Sequence, residues 1–252
     1  MQYSTVLIAV LAAAASAAPT APKVVIHDAR SAVDALSTLS DYFNTIAGKA
    51  IAAKLADSSA VCDLSKASMP AAPELLPVPS EGLHLRHVAV GRGVQKYECA
   101  DDSSAPTAAG AVATLFNASC VAALYPDLLE TIPGMAVHFD LSSAQQLGPT
   151  GLLESGHHYF TNATTPFFDV QSTGEAPCQK NATSPTPSGA AVGQQGEAAV
   201  PWLKLTTRDG ATGGIKEVYR LTTAGGSAPS SCEGMSESFE VEYAALYWFW
   251  AE

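Results

Sequence analysis

The chain contains a few histidine and acidic side chains that could bind a metal ion or transfer a proton. His157 and His158 are adjacent in a stretch that reads as a strand, where consecutive residues point to opposite faces, so only one of them could join a given site. Imidazole and carboxylate groups both bind metals and transfer protons, so His158 with Asp169 is the pair for a hydrolytic or metal-dependent enzyme. A metal site would need further ligands from distant positions, such as His138 or Asp140.

Three short motifs resemble cofactor or catalytic signatures but are incomplete. Gly91-Arg92-Gly93 lacks the third glycine of a dinucleotide loop, because position 96 is Lys, and the residues after it read as a strand. Glu154-Ser155-Gly156 lacks the first glycine of a nucleophile elbow. Asp101-Asp102 lies in a turn-rich segment, where adjacent acids are usually solvated. The sequence therefore implies no cofactor and no catalytic residue.

Composition limits the classes of partner. The chain has 252 residues, a net charge of -11, 47% hydrophobic residues and 15% charged residues. A chain of this size can bury a sizeable core in one or two domains. Its acidic balance disfavours a nucleic-acid partner and docking on anionic lipid. No stretch reaches about 18 uninterrupted apolar residues, so the sequence predicts no membrane span.

The N-terminal residues and the sequons predict export. An apolar run over residues 6–15 precedes Ala15-Ser16-Ala17, which fits a signal peptide over residues 1–17. Three of the four Asn lie in N-x-[ST] sequons, at Asn117, Asn162 and Asn181. The interpretation is a secreted glycoprotein that works outside the cell or in the cell wall.

The cysteines agree with an oxidising compartment. There are five, and no two have the CxxC spacing of a zinc ribbon or a thioredoxin-like site. Structural disulfides are the simpler interpretation, and an odd number leaves at least one thiol without a partner in the chain. Cys178 is the candidate for that thiol.

Hydrophobic periodicity divides the rest of the chain into two parts. Residues 18–82 read as a helix over residues 31–56 followed by a Pro-rich tether over residues 62–82. Residues 83–252 read as a β domain, an antiparallel sandwich or barrel of short strands. Strands are predicted over residues 94–99, 111–116, 136–141, 158–161, 166–170, 202–207, 215–222 and 239–250, with a helix over residues 123–132. Residues 171–199 read as a long Gly/Pro/Ser/Thr-rich insertion, mobile and glycosylated.

The closing strand is rich in aromatic residues. Tyr243, Tyr247 and Phe249 share one face of it, and Trp248 and Trp250 lie on the other. Such rows can stack on sugar rings, but they more often fill the core of a strand that is covered on both sides. The sequence therefore predicts a central, buried strand.

Motifs spread over residues 75–250 resemble a secreted family catalogued as domain of unknown function 3455, found in fungi and bacteria. The matching residues are Leu76-Pro77-Val78-Pro79, the strand from Gly91 through Gln95 and Tyr97 to Cys99, His158-Tyr159 with Pro166, Phe168 and Asp169, the strand from Pro201 to Leu205, Arg220 with Thr223, Gly225, Gly226, Ala228, Pro229 and Cys232, and the strand from Tyr243 to Trp250. Tyr219 and Thr222 depart from the family pattern, which usually has Gln and Asn there.

The resemblance implies a disulfide pairing but little chemistry. It implies a Cys99–Cys232 bridge in the family core and an extra Cys62–Cys120 bridge. Gln95, His158, Asp169 and Arg220 are the candidate site residues, and convergence of Gln95, His158 and Arg220 on one pocket would support a site. The family has no established activity.

Three functions are consistent with parts of this pattern. The leading hypothesis is a non-catalytic binding or structural role at the cell surface or wall, with a wall polysaccharide or a surface protein as the partner. The alternative is the secreted hydrolase or metal-dependent enzyme that uses His158 and Asp169. The least favoured is a nicotinamide-dependent malate dehydrogenase, a label that some relatives carry, because the chain lacks a Rossmann unit.

Overall fold

The computed structural model describes residues 62–140 and 146–252, together with residues 41 and 44. Asp41 and Asn44, within the helix predicted over residues 31–56, are helical. The remainder of that helix and the signal peptide predicted over residues 1–17 lie outside the described residues.

Eight antiparallel strands form a closed barrel. Each strand pairs with the next along the chain, and β8 closes the barrel against β1, from His84 opposite Ala251 to Glu98 opposite Ser238. Closure means that every strand has a neighbour on both sides, and it decides the predicted choice between sandwich and barrel. The strands are β1 (His84–Glu98), β2 (Thr107–Asn117), β3 (Glu154–Asn162), β4 (Thr165–Val170), β5 (Gly174–Ser184), β6 (Trp202–Thr207), β7 (Ile215–Gly225) and β8 (Ser238–Ala251).

Two α-helices connect β2 to β3. They are α1 (Ser119–Leu124) and α2 (Pro126–Ala136), and short 3-10 turns occur at Leu64–Lys66 and Gly148–Thr150. Pro126 begins α2 at a position where the missing N–H costs no helical hydrogen bond. The strand predicted over residues 136–141 is wrong, because a short apolar run does not distinguish a strand from the end of a buried helix. Among the described residues, no helix has the length and apolar content needed to cross a membrane.

Side-chain alternation on β8 builds two cores, one on each face of the barrel wall. Tyr243, Tyr247 and Phe249 fill the barrel interior. Leu246 and Trp248 pack on the outer face against buried residues of α2 such as Leu129 and Ile132. The prediction of a buried aromatic strand covered on both sides is confirmed, since these β8 side chains are at most 1% exposed.

Strand β5 occupies much of the segment that the sequence describes as an insertion. Gly174–Ser184 pairs with β4 on one side and β6 on the other. Its inward residues include the small Ala176 and Cys178, and its outward residues are largely polar and exposed. A strand that carries so little apolar bulk shows no periodicity, so the sequence did not reveal that this part of the predicted insertion is a barrel strand.

A buried ion pair fixes the Pro-rich segment to the outside of β6 and β7. Lys204 Nζ lies 2.9 Å from Glu217 Oε1, with both side chains about 95% buried. Lys204 donates to the carbonyl of Val78 at 2.9 Å, and Ser80 Oγ donates to Glu217 at 2.7 Å. Burial opposes ionisation of Glu217, but the hydrogen bonds from Ser80 and Lys204 hold its pKa below the usual value.

Replacing Glu217 by Gln is expected to lower the free energy of unfolding by about 2 kcal/mol, because the buried ammonium of Lys204 loses its counter-charge. Glu240→Gln is the matched control, since Glu240 pairs with Lys96 on neighbouring strands with both side chains about half exposed. That change is expected to cost at most about 0.5 kcal/mol. Urea unfolding of both variants measures the difference, and equal costs would contradict a structural role for the buried pair.

Candidate functional site in the barrel interior

The barrel brings three of the four candidate site residues into its interior. Gln95 is opposite Ala111 on β2, and His158 is opposite Phe168 on β4, and both partners are interior core residues. Arg220 on β7 is opposite Tyr247 on β8, another interior residue. Because opposed residues of antiparallel strands share a face, all three side chains face the inside of the barrel.

His158 is packed between aromatic rings. Its ring stacks on Phe168 with centroids 4.2 Å apart and lies 5.6 Å from the ring of Tyr247. Nδ1 lies 2.9 Å from the carbonyl oxygen of Phe167, which only accepts, so Nδ1 carries the proton. Burial, together with the positive charge of Arg220, lowers the pKa of His158 to about 4, although the hydrogen bond to the carbonyl of Phe167 opposes the shift. His158 is therefore neutral at neutral pH.

Asp169 does not join the interior group. It is opposite the exposed His157 on β3, whereas its neighbours Phe168 and Val170 are interior residues. Asp169 and His158 consequently lie on opposite faces of the barrel wall. The structure does not bring together the pair on which the hydrolase alternative depends, and the described residues contain no cluster of three or more potential metal ligands.

Two tyrosine hydroxyls meet in the interior beside these residues. The hydroxyl oxygens of Tyr243 and Tyr247 are 2.9 Å apart, and both side chains are fully buried. Burial raises the pKa of each hydroxyl, and the charge of Arg220 opposes that rise at both. Both tyrosines are therefore neutral, and because one hydroxyl donates to the other, one hydroxyl proton remains for another acceptor.

Arg220 is a half-buried cation without a counter-charge. One terminal nitrogen donates to the carbonyl of Pro201 at 2.9 Å, near the barrel surface. Its Nε is buried and has no hydrogen-bond partner. None of the ion pairs among the described residues involves Arg220. Its positive charge contributes to the lowered pKa of His158. At Tyr97, Tyr243 and Tyr247 the same charge partly offsets the rise in pKa that burial causes.

Gln95 provides a second unsatisfied donor in the same region. Its side chain is 9% exposed, and the amide nitrogen Nε2 has no hydrogen bond of good geometry. Gln95 packs beside Gly226, whose φ of +93° and lack of a side chain leave room for it. The side chain of Gln95 also lies close enough to the Tyr243 hydroxyl to lower the pKa of that hydroxyl. Gln95, Arg220 and the tyrosines thus form a donor-rich group that suits an electron-rich ligand atom.

Sequence reasoning missed a buried histidine at the other end of the interior. His87 Nε2 lies 3.0 Å from Ser155 Oγ on β3, and Nδ1 lies 3.3 Å from Ser119 Oγ at the start of α1. Burial lowers the pKa of His87 to about 4. All three side chains are at least 92% buried, so they connect β1, β3 and α1 away from water. No local pattern signals this cluster, because barrel closure creates it.

Two disulfides cross-link the chain in the pairing that the family resemblance implies. Cys99 and Cys232 join the end of β1 to the β7–β8 connection, with Cα atoms 5.8 Å apart. Cys62 and Cys120 join the N-terminal segment to α1, with Cα atoms 4.6 Å apart. Cys178 is a buried free thiol on β5. Disulfides of this kind persist in oxidising compartments, so they fit an extracellular protein.

The three sequons lie on the surface of the barrel. Asn117 is the last residue of β2, Asn162 is the last residue of β3, and Asn181 lies at the register shift of β5, and all three are exposed. A glycan at any of them would extend into solvent without displacing core side chains.

Comparisons with known proteins place the chain in a family. No curated protein and no solved structure matches it. The family model described as "Protein of unknown function (DUF3455)" matches residues 79–251, which is the whole barrel together with the end of the Pro-rich segment. The chain therefore belongs to the DUF3455 family.

Proposed function

We propose that this chain is an exported, non-catalytic binding protein of the cell surface or wall, and that it holds a small anionic ligand at the interior site around Arg220. The observation that carries the proposal is the Arg220 guanidinium, which has no carboxylate partner among the described residues and lies with Gln95 beside the hydroxyls of Tyr243 and Tyr247.

Electrostatics favours an anion over a neutral ligand. Removing a charge from water is costly unless an opposite charge or hydrogen bonds compensate for it. Guanidinium presents several N–H donors in a planar fork that matches a carboxylate or phosphate. One of the adjacent tyrosine hydroxyls and the Gln95 amide can donate to the remaining oxygens of such a ligand.

The state of the interior histidine favours binding over turnover. General acid–base catalysis near neutral pH works best when the pKa of the catalytic group is close to the pH. The pKa of His158 is about 4, and its Nδ1 is engaged with a backbone carbonyl. His158 therefore serves as a rigid, neutral wall of the site.

Export is supported by features at separate places in the chain. The apolar run with a small-x-small triplet at residues 15–17 fits a signal peptide. Three sequons are exposed. One disulfide cross-links the barrel, and the other joins the N-terminal segment to α1. These features support a secreted glycoprotein, and treatment of the exported protein with an N-glycosidase would reveal any glycan as a loss of mass.

Arg220→Met is expected to abolish anion binding while leaving the fold intact. Acetate, succinate and inorganic phosphate are titrated separately by heteronuclear NMR, which separates carboxylate from phosphate recognition. Binding of at least one of them is expected to weaken more than tenfold in Arg220→Met, because the guanidinium that would pair with the anion is lost. Gln95→Leu is expected to weaken it less, since it removes an uncharged donor.

Arg86→Met is the matched control, because Arg86 is an exposed arginine at the start of β1. It makes the same change in net charge and is expected to leave the affinity unchanged. Absence of any shift at millimolar concentrations, or equal weakening by both arginine variants, would contradict the interior anion site.

A further inference from the structure

The interior face of the barrel wall reaches solvent beside the C-terminal half of β5. Strand β4 pairs with β5 only as far as Pro177, so beyond that residue β5 has β6 as its only described strand partner. There Lys180 is opposite Leu205, a residue of the interior core, and Thr183 is opposite Leu203, which packs against that core. Opposed residues share a face, so Lys180 and Thr183 point inward, yet both residues are exposed. Lys180, Thr183 and Leu203 define an opening that we call the mouth.

The guanidinium of Arg220 lies at the inner side of the mouth. Arg220 is opposite Leu203, so it continues the row of inward residues from β6 onto β7. The hydrogen bond from its terminal nitrogen to the carbonyl of Pro201 is exposed, whereas its Nε is buried. The guanidinium therefore lies between the interior and the solvent at the mouth.

Lys180 is a second cation at this mouth, and its charge is not compensated. Its ammonium group forms no ion pair with a residue that the structure describes. The other described lysines each pair with a carboxylate, namely Lys66, Lys96, Lys204 and Lys216. The net charge of -11 repels anions from the molecule as a whole, so an uncompensated ammonium at the mouth provides a local attraction for them.

Strand register sets the separation of the two cations. Lys180 and Arg220 lie on either side of β6, and the residues opposite them on β6, Leu205 and Leu203, are two positions apart. With strands about 4.8 Å apart and a rise of about 3.3 Å per residue, their Cα atoms are about 12 Å apart along the wall. Both side chains are long and point toward the inside of a curved wall, so one small molecule can contact both. Leu203, which is half-buried, offers apolar surface between them.

We infer that Lys180 is the second cation of the anion site and that the site selects a short aliphatic dicarboxylate. This inference rests on the proposed function, because Arg220 binds the first carboxylate. The ammonium of Lys180 binds the second carboxylate at the mouth, and the methylene groups between the two carboxylates pack on Leu203. Acetate carries a single charge, so it cannot compensate both cations.

The test compares anions of different charge and length on the intact protein. Acetate, inorganic phosphate and the dicarboxylates malonate, succinate, glutarate and adipate are titrated separately and followed by heteronuclear NMR. An ionic strength of about 0.15 M screens exposed charges that are more than about 8 Å apart. At least one dicarboxylate is expected to bind more than tenfold more tightly than acetate, because it gains a second ion pair.

Lys180→Met removes the second cation and keeps a long side chain. It is expected to weaken binding of the preferred dicarboxylate about tenfold, while the affinity for acetate changes less than twofold. Lys180→Arg is expected to retain the preference for the dicarboxylate, because it restores the positive charge. Lys180 is exposed and has no ion-pair partner among the described residues, so Lys180→Met is expected to leave the melting temperature unchanged.

Lys66→Met is the matched control for the change in net charge. The side chain of Lys66 is 70% exposed and lies on the 3-10 turn Leu64–Lys66, which packs on the outer face of the barrel wall through Leu64. The affinities for acetate and for the dicarboxylate are both expected to stay within twofold of those of the unchanged protein. Equal weakening by Lys66→Met and Lys180→Met would indicate a general charge effect and would overturn the role of Lys180.

The outcomes distinguish this inference from the proposed function. Absence of binding by every anion at millimolar concentrations would overturn both. Acetate binding that Arg220→Met weakens, without a preference for any dicarboxylate or with a preference that Lys180→Met leaves intact, would overturn the role of Lys180 and leave the interior anion site standing. Phosphate binding as tight as that of the preferred dicarboxylate would contradict the selection of two separated charges.

Discussion

Acidification from pH 7 to pH 4.5 is expected to lower the free energy of unfolding by several kcal/mol, because two interior histidines stay neutral in the folded barrel. Burial lowers the pKa of both His87 and His158 to about 4, whereas an unfolded histidine titrates near pH 6.5. Between these values the unfolded chain binds more protons than the folded chain, so stability falls as the pH falls. The loss is up to about 3 kcal/mol for each histidine.

The adjacent histidine on β3 provides the control. His158→Gln removes an interior titratable group and is expected to reduce the pH dependence by about half, although it lowers stability at pH 7 as well. His157→Gln changes a side chain that is 52% exposed and is expected to retain the full dependence. Urea unfolding at pH 7, 6, 5 and 4.5 measures both slopes. The same slope in all three proteins would contradict a neutral, buried His158.

Three carboxylates with a lowered pKa act mainly below this pH interval, whereas burial raises the pKa of Glu130, which opposes the loss of stability on acidification. Hydrogen bonds from Ser65 and Ser103 hold the pKa of Asp63 and Asp101, respectively, below the usual value, and Glu217 is held low in the same way despite its burial. A group with a lowered acidic pKa loses its stabilising contribution as the pH falls below its unfolded pKa, which is near 4. Their effect therefore begins mainly below the interval in which the histidines act.

Removing the Cys99–Cys232 bridge is expected to lower the free energy of unfolding by about 3–5 kcal/mol. The bridge joins residues separated by 133 positions, so it removes much conformational freedom from the unfolded chain. The backbone N–H of Cys99 also donates to Glu237 at 2.8 Å, and that of Cys232 donates to Ser104 at 2.9 Å. The double variant Cys99→Ser/Cys232→Ser, unfolded in urea, measures the loss.

Two further cysteine variants separate chain restraint from packing. Cys62→Ser/Cys120→Ser opens a bridge between residues 58 positions apart and is expected to cost less, because that bridge anchors the N-terminal segment rather than two parts of the barrel. Cys178→Ala changes a buried thiol whose pKa burial raises to about 12, so the thiol does not exchange with the disulfides at neutral pH. A larger loss from Cys62→Ser/Cys120→Ser than from the core bridge would contradict this order.

Periodicity predicted the strands that carry apolar bulk. The prediction over residues 202–207 coincides with β6, and that over residues 239–250 falls within β8. Alternation along β8 also assigned Tyr247 and Trp248 to opposite faces, as the two cores confirm. The same reasoning failed at β5, whose small inward and polar outward residues give no signal. It failed again over residues 136–141, where apolar residues follow a buried helix.

The amino-acid sequence by itself determined the β class and the two-faced burial of the closing strand, and its motifs identified the family. These features depend on local spacing, which the chain carries in one dimension. Only the tertiary structure decided that the sheet closes, that Gln95, His158 and Arg220 share its interior, and that Asp169 lies on the other face. Strand register sets those distances, and register depends on pairing between residues far apart in the chain.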